Sequence, residues 1–545
     1  MNSKIYNKLL LISFGNVQNF ISNARKTIDL YNGSMIVQKL VLATQEILYK
    51  IDVNEMSSVK IDSDINNFID CEFFIDTGDK VEEKYVPNFL LYRCYYDGNR
   101  TNAQLENCIF EIVKQELNKK VQERKFFIPE DIIPYVVITD YDENNNKNEN
   151  NNDYQNAYAR IHQKLNGYKN SEKNGNTFCN KQSCGNNEIA KHVCSMCGIR
   201  YGEEYIDKVF LWNKKLEEKK IEYLCEECKE KREWNKNQSN KTTHFDSVDS
   251  IAKLVKNDGT YYGIIRADMD DMGKKMGTVD NSYKEMGLRE WQKNLKIFLK
   301  EFMEKMTQYL SDIEKGKELL IYAGGDDILF FCPIDKIIPT LKKIDELIEK
   351  CGKSIGEQKI DISDKITMSK CVTITHKHVP LKRVIQLSKE YLEQTKSFQF
   401  KKGYHRKNKV GFLIIFSGYG FDFTVIKQEN MGDFSHILQG INKEYSRSFF
   451  YQLQNQIIKF GTEIPEKDKN ILKIIKNDMR RILSRKIKNN TVNVEQYVEK
   501  LDRLYLMFTE DDAYGRLINS PYFFNMLHIM DKWATELKGG RENNE

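Results

Sequence analysis

The chain is predicted to be an α/β protein of the α+β kind. Two observations in its second half and one before it carry this reading. Between residues 261 and 416, short apolar runs alternate with helical periodicity in the order β-α-β-β-α-β. Two acidic clusters sit at the ends of those apolar runs, one of them in a Gly-Gly-Asp-Asp turn. Upstream, two C-x-x-C pairs mark a separate small module.

The elements follow in order. Residues 9–14 read as a buried strand, 33–50 as a helix and 73–76 as a short strand. The Asn-rich run 144–152 cannot build a core and is expected to be an exposed loop. The cysteine cluster spans about 170 to 235, and 235–243 reads as a second linker. A strand is predicted at 262–267, then an amphipathic helix at 282–310 with Trp291, Leu295, Phe298, Phe302 and Met306 on its inner face. Strands at 319–323 and 328–331 flank the glycine turn. A helix (339–351), a strand (372–375), a helix (381–395) and a strand (410–416) complete the unit. The order is ferredoxin-like, the plan that also forms the core of polymerase palms. From 421 onward the pattern is mainly helical, with 449–451, 504–508 and 522–524 supplying its core.

The chain has 545 residues, 40% of them hydrophobic, so several cores are expected and global disorder is excluded. A net charge of +5 does not describe a protein that coats nucleic acid. No apolar run approaches the roughly 20 residues that span a bilayer, and residues 9–14 are too short for a signal peptide. The expectation is a cytoplasmic protein with no membrane partner. The absence of G-x-x-x-x-G-K-[ST] sets a P-loop ATPase aside.

Ala267-Asp268-Met269-Asp270-Asp271-Met272-Gly273 closes one predicted strand, and Gly324-Gly325-Asp326-Asp327 joins two others. Acids gathered at strand ends are costly unless solvated or bound to cations. If the strands are neighbours, Asp268 converges with Asp326 and Asp327. Hard oxygen ligands of this kind suit Mg²⁺ or Mn²⁺, and two such ions would activate an attacking hydroxyl and neutralise leaving pyrophosphate. The glycines permit a tight turn and leave room for a nucleotide. Lys396 is placed to meet a triphosphate as a point charge. Asp270 and Asp271 read equally as ligands or as solvated loop acids. The basic stretch 401–407 reads either as a phosphate contact or as a solvated loop.

Of twelve cysteines, Cys194, Cys197, Cys225 and Cys228 form two knuckles spaced for a closed, structural Cys₄ zinc site. Cys179 and Cys184 either serve a second metal or are spare thiols. His192 is read as a surface or core residue rather than a ligand. Cys71, Cys94, Cys108, Cys332, Cys351 and Cys371 lack metal spacing and read as small buried apolar residues.

The ordered set of motifs resembles the large palm-containing subunit of type III-B (Cmr branch) CRISPR–Cas effector complexes. The set comprises residues 13–21, Ala24-Arg25-Lys26-Thr27, Asp29-Leu30, Gly33-Ser34 and Val86-Pro87-Asn88. It continues through the two knuckles, residues 268–273, 324–327, Pro380-Leu381, Lys396 and Lys407-Asn408. The resemblance implies two ferredoxin-like polymerase/cyclase palm domains with an intervening zinc domain and a C-terminal helical domain. The boundaries expected are 1–165, 166–255, 256–420 and 421–545. The second palm would bind ATP and metal through Asp268, Asp326, Asp327, Gly324, Gly325 and Lys396. The first would hold an acceptor nucleotide near Ser34 and Arg25. The implied partners are the other subunits of the complex, CRISPR RNA and target RNA, whose pairing would switch on synthesis of an adenylate messenger, usually cyclic oligoadenylate.

Many relatives carry an HD nuclease domain, but no His here is followed by Asp, so no HD-type DNase activity is expected. Some relatives without that domain join AMP to S-adenosylmethionine. Asp70, Glu72 and Asp76 are candidates to meet the sulfonium and ammonium of that acceptor. Two other readings compete: an inactive scaffold, against which the intact acids argue, and a free-standing cyclase, against which the cysteine module and the C-terminal helices argue.

Overall fold

The computed structural model of the chain describes residues 7–52, 71–73, 89–94, 96, 101–122, 127–130, 132–141, 152–170, 192–206, 221–234, 248–254, 259–280, 286–313, 319–353, 355, 360–400, 407–441, 443–459, 469–488, 493–509 and 520–538. The first unit begins with β1 (Lys8–Gly15), α1 (Val17–Ser22) and α2 (Thr27–Asp52). It continues with β2 (Cys71–Phe73), β3 (Phe89–Cys94), α3 (Asn102–Gln122), β4 (Ile133–Asp140) and α4 (Asn152–Asn170). Its sheet order is β4-β1-β3-β2, with every pair antiparallel. Helix α4 packs on β4 and runs past residue 165, the predicted boundary.

Helix α2 starts six residues before the predicted position at Gly33. The Asp29 carboxylate accepts the backbone N–H groups of Arg25 and Lys26 at 2.9 Å each and fixes the helix entry. Gly33 lies within the helix because another side chain packs against it. A Cβ there would stand 2.7 Å from Cε of Lys231.

The cysteine module holds β5 (His192–Val193), β6 (Tyr201–Ile206), β7 (Ile221–Leu224) and α5 (Glu226–Glu233). Its core is separate and small: Cys194, Met196, Cys197, Tyr205, Leu224, Cys225 and Cys228.

After α6 (Val248–Ala252), the second unit holds β8 (Tyr261–Met269), α7 (Met272–Gly277), α8 (Leu288–Ile313), β9 (Leu320–Ala323) and β10 (Asp327–Cys332). Then come α9 (Ile337–Gly352), β11 (Met368–His376), α10 (Leu381–Ser397), β12 (Lys409–Ile415) and β13 (Phe421–Lys427). The sheet order is β13-β12-β11-β8-β10-β9. Its last four strands, β11-β8-β10-β9, repeat the order of the first sheet, so both units are ferredoxin-like. The predicted inner face of α8 is buried at all five positions. Strand β13 corrects the expectation that the sheet ends at 420 and that helices begin at 421. It pairs antiparallel with β12.

Helices α11 (Met431–Gly440), α12 (Ser448–Lys459), α13 (Lys469–Ser484), α14 (Val494–Thr509) and α15 (Ser520–Lys538) complete the chain. Helix α15 packs on β13, and Arg447 on α12's approach clamps Asp531 at 2.7 and 3.1 Å. Two of the predicted core residues, Tyr451 and Leu506, are exposed, while Phe449, Phe450, Leu504, Tyr505, Met507, Phe508 and Phe523 are buried.

Both palms and the C-terminal helices share one continuous apolar core. Helix α2 packs against β9, and α1 against α10, so the first palm faces the second at the end of the sheet that carries the acids.

Candidate active site

Strand β8, central in the second sheet, is buried along almost its whole length, which explains its run of Ile264, Ile265 and Ala267. It carries Asp268 near its end. Antiparallel pairing puts Asp268 directly opposite Asp327, the first residue of β10. On the other side Asp268 faces Ser369 of β11. Residues directly opposite in such a ladder lie about 4.5–5.5 Å apart at Cα. The turn is closed by Gly324 N–H donating to Asp327 O (2.9 Å) and Met269 N–H to Asp326 O (2.9 Å). Gly325 adopts φ +96°, which L side chains resist. A Cβ on Gly324 would run into the Tyr322 hydroxyl and Asp327 Oδ1.

Burial pushes the Asp327 carboxyl up to about 7, reinforced by the charges of Asp326 and Asp268. Asp326 rises to about 6 for the same reasons. Burial also raises Asp268, opposed by Lys396, whose ammonium lies 2.8 Å from Asp268 Oδ2. Beneath them is buried Arg266, whose positive charge partly offsets the rise at Asp327. The donor set is therefore three poorly solvated carboxylates on neighbouring strand ends, beside a turn whose Gly324 has no room for a side chain. Hard divalent cations fit it. Lys396 takes one oxygen of Asp268, and the carboxamide of Gln18 donates to Asp327 Oδ2 at 3.1 Å.

Among the described residues, only the cysteines gather three or more ligand side chains within 4.8 Å of one another. The Cys194, Cys197, Cys225 and Cys228 sulfurs are buried and could hold a metal ion. His192 stands outside that cluster, stacked on Tyr223 with ring centroids 3.9 Å apart.

Asp270 is buried rather than solvated. It is 2% exposed and accepts three hydrogen bonds: Ser369 Oγ (2.7 Å), Thr367 Oγ1 (2.8 Å) and Asn408 N (2.8 Å). It ties the end of β8 to β11 and to the start of β12. Asp271, one residue on, is exposed, and Lys407 at 2.8 Å holds its carboxyl below the usual range. Replacing Asp270 with Ala strands two hydroxyls and a backbone N–H, and is expected to lower stability by about 2–4 kcal/mol. Asp271→Ala should change it by less than about 0.5 kcal/mol. Denaturant midpoints at constant slope measure both.

Two predicted nucleotide contacts point elsewhere. Ser34 is buried in α2 with its hydroxyl 3.5 Å from Gln38 Nε2. Arg25 turns towards Glu222 of the cysteine module at 3.7 Å. The first-palm side chain that reaches the acids is Gln18, to which the sequence reading gave no role. Its signal was positional: it follows β1 by three residues, on a short helix opened by Asn16 at φ 59°. Asp70, Asp76, Cys179, Cys184, Val86-Pro87-Asn88 and residues 401–406 lie outside the described residues, as do the side chains of Glu72 and Cys71.

A cleft of about 1060 Å³ opens between α1 and α10, bordered by Gln18, Asn19, Arg266, Lys389 and Glu393. Glu393 is also 3.3 Å from Lys396, so the cleft abuts the acids. No helix among the described residues is long and apolar enough to cross a membrane.

Two ferredoxin-like units facing each other across such a cleft, with a Gly-Gly-Asp-Asp turn in the second, define a tandem-palm protein. Residues 261–411 match the family described as Cas10/Cmr2, second palm domain, and residues 9–55 match CRISPR-associated protein Cmr2, N-terminal. These two stretches, one in each palm, thus match domains of the Cas10/Cmr2 family. No curated protein sequence matches it. Its fold is similar to that of a chain in the type III-B Cmr-beta apo structure (TM-score 0.64, 12% identity, 97% of this chain and 82% of that one). It is equally similar to a chain of Cmr-beta bound to cognate target RNA (0.63, 13%, 98% and 83%). A chain of the Csm1-Csm4 cassette in complex with pppApApA also matches (0.51, 12%, 96% and 69%).

Proposed function

We propose that this chain is the nucleotidyl-transferring subunit of a type III-B CRISPR effector complex and joins ATP-derived adenylates when the complex holds target RNA. The observation that carries this reading is the pairing of Asp268 with Asp327 across β8 and β10, beside a turn in which Gly324 has no room for a side chain. The family match and the nucleotide named in the Csm1-Csm4 structure support it.

Asp268, Asp326 and Asp327 would hold Mg²⁺ or Mn²⁺, which supply a Lewis acid for the attacking hydroxyl and for pyrophosphate departure. Lys396, now the counter-ion of Asp268, is placed to exchange onto a phosphate when a cation takes over that carboxylate. Gln18 donates to one oxygen of Asp327 and so orients the carboxylate. Arg266 keeps a fixed positive charge under the acids, which limits proton uptake at neutral pH. The four cysteines would hold a structural zinc ion.

Since ligation requires ionised carboxylates, Mn²⁺ affinity should tighten as pH rises through about 6 and about 7, where Asp326 and Asp327 ionise. Electron paramagnetic resonance of free Mn²⁺ measures it, and a flat profile would count against these ligands. The function itself is tested by assembling the complex with its guide and partners and adding target RNA, Mg²⁺ or Mn²⁺, labelled ATP and, in a parallel reaction, S-adenosylmethionine. Mass spectrometry identifies the product. Adenylate oligomers from ATP alone support the reading. A conjugate formed only with S-adenosylmethionine keeps the donor chemistry and changes the acceptor. No product in either reaction leaves the scaffold reading in place.

A further inference from the structure

The four-cysteine module does more than fill space between the palms. It touches both walls of the cleft through lysines. From its helix α5, Lys231 crosses into the first palm. Its ammonium donates to the carbonyl oxygens of Phe20, Ile21 (3.3 Å) and Asn23 (2.8 Å), at the C-terminal end of α1. Those three acceptors use all the donors an ammonium has. Lys231 is 1% exposed, and its stem packs against Gly33 of α2. Beside it, Arg232 forms a bidentate pair with the buried Asp29, and Asn32 Nδ2 donates to Lys231 O at 2.8 Å. From the opposite wall, Lys382 in the first turn of α10 donates to Cys197 O (2.9 Å) in the first knuckle.

These contacts form one physical chain. Cys225 and Cys228 open α5, which carries Lys231. Lys231 holds α1, and α1 carries Gln18 onto Asp327. Cys197 anchors Lys382, and α10 carries Lys396 onto Asp268. We infer that the cysteine module is a strut that sets the spacing of α1 and α10, with Lys231, Lys382 and Gln18 acting as positioning residues for the acids. The inference rests on the proposed role of Asp268, Asp326 and Asp327 and adds what holds them in register across two domains. A buried lysine is expensive to desolvate, and an apolar residue of the same length would fill the space as well. Three directed hydrogen bonds to one short helix fix its position in a way that packing alone does not.

The test uses the full chain and Mn²⁺ as probe, with zinc content measured alongside. Loss of a hydrogen bond to a ligating carboxylate typically weakens metal affinity on the order of tenfold or more. Gln18→Ala is expected to weaken Mn²⁺ by about tenfold, and Lys231→Met and Lys382→Met by similar factors, all three with zinc retained. The double variant Gln18→Ala/Lys231→Met should be no weaker than either single variant, because both changes break the same chain. Lys382→Arg should restore wild-type affinity, since a guanidinium reaches the same carbonyl. Multiplying losses in the double variant, or unchanged affinity in Lys231→Met and Lys382→Met with zinc retained, overturns the strut. If Lys231→Met does not fold, the half-buried Lys382 carries the test through Lys382→Met against Lys382→Arg: lost affinity in the first and wild-type affinity in the second supports the strut, and equal affinity in both overturns it. A wild-type chain that shows no Mn²⁺ binding sensitive to Asp326→Ala/Asp327→Ala overturns this inference and the proposed function together. Intact binding with indifferent lysines overturns only the strut.

Discussion

Asp327→Asn is expected to lose nucleotide joining by about 10³-fold or more while making the folded chain more stable at pH 8. The loss follows from the charge that Asp327 offers a cation: metal stabilisation of developing charge is worth several kcal/mol, and each 1.4 kcal/mol is about tenfold in rate. The gain follows from the cost of crowding. Asp327 is pushed up to about 7, mainly by burial and then by its neighbours Asp326 and Asp268. Below the carboxyl's unfolded value, about 4, it is protonated in both states and carries no penalty. Between about 4 and about 7 the unfolded chain ionises first, so wild-type stability falls as pH rises through that window. Asparagine removes the titration. The variant should therefore melt above wild type at pH 8 and level with it at pH 4. Loss of activity with unchanged or lower stability at pH 8 would mean that the acids are not held against repulsion, and the site description would need revision.

The second large effect concerns the cysteine module. Among the described residues its separate core comprises seven buried side chains, and four of them are the cysteines. So small a core cannot hold three short strands and a helix without a further tie. Structural zinc in modules of this kind contributes about 10–16 kcal/mol of apparent binding free energy at neutral pH. Cys228→Ser, or a strong chelator, is expected to release zinc and open residues 192–234 to protease, while the two palms keep a cooperative melting transition. Mass-spectrometric mapping of the cut sites with parallel zinc analysis measures this. A module that stays protected after zinc is gone would show that contacts such as Arg232–Asp29 suffice by themselves.

Much of the second palm was legible because its elements obey one period each. The strand 262–267, the α8 face and the glycine turn are continuous in sequence, and each reads as a single signal. The two acid clusters were legible for the same reason, since their cost at strand ends is local. What escaped reading was set by distant partners. Asp270 looks like Asp271 in sequence, and only hydroxyls about a hundred residues away make one buried and the other exposed. Gly33 reads as a helix start until Lys231 is seen to occupy the space of its missing side chain. Gln18 has no chemical signature of its own and gains a role only because α1 faces the second palm. Strand β13 was missed because its two outermost residues, Phe421 and Asp422, are not buried and blur the apolar pattern.

The most direct test of the central claim is the rate of pyrophosphate release from ATP by the assembled, target-bound complex as Mn²⁺ is titrated, for wild type and for Asp326→Ala/Asp327→Ala. The account predicts a saturable, Mn²⁺-dependent rate in wild type that falls by at least about 10³-fold in the double variant. Equal rates in the two proteins would contradict it, because the transfer would then take place without the acids that β8 and β10 bring together.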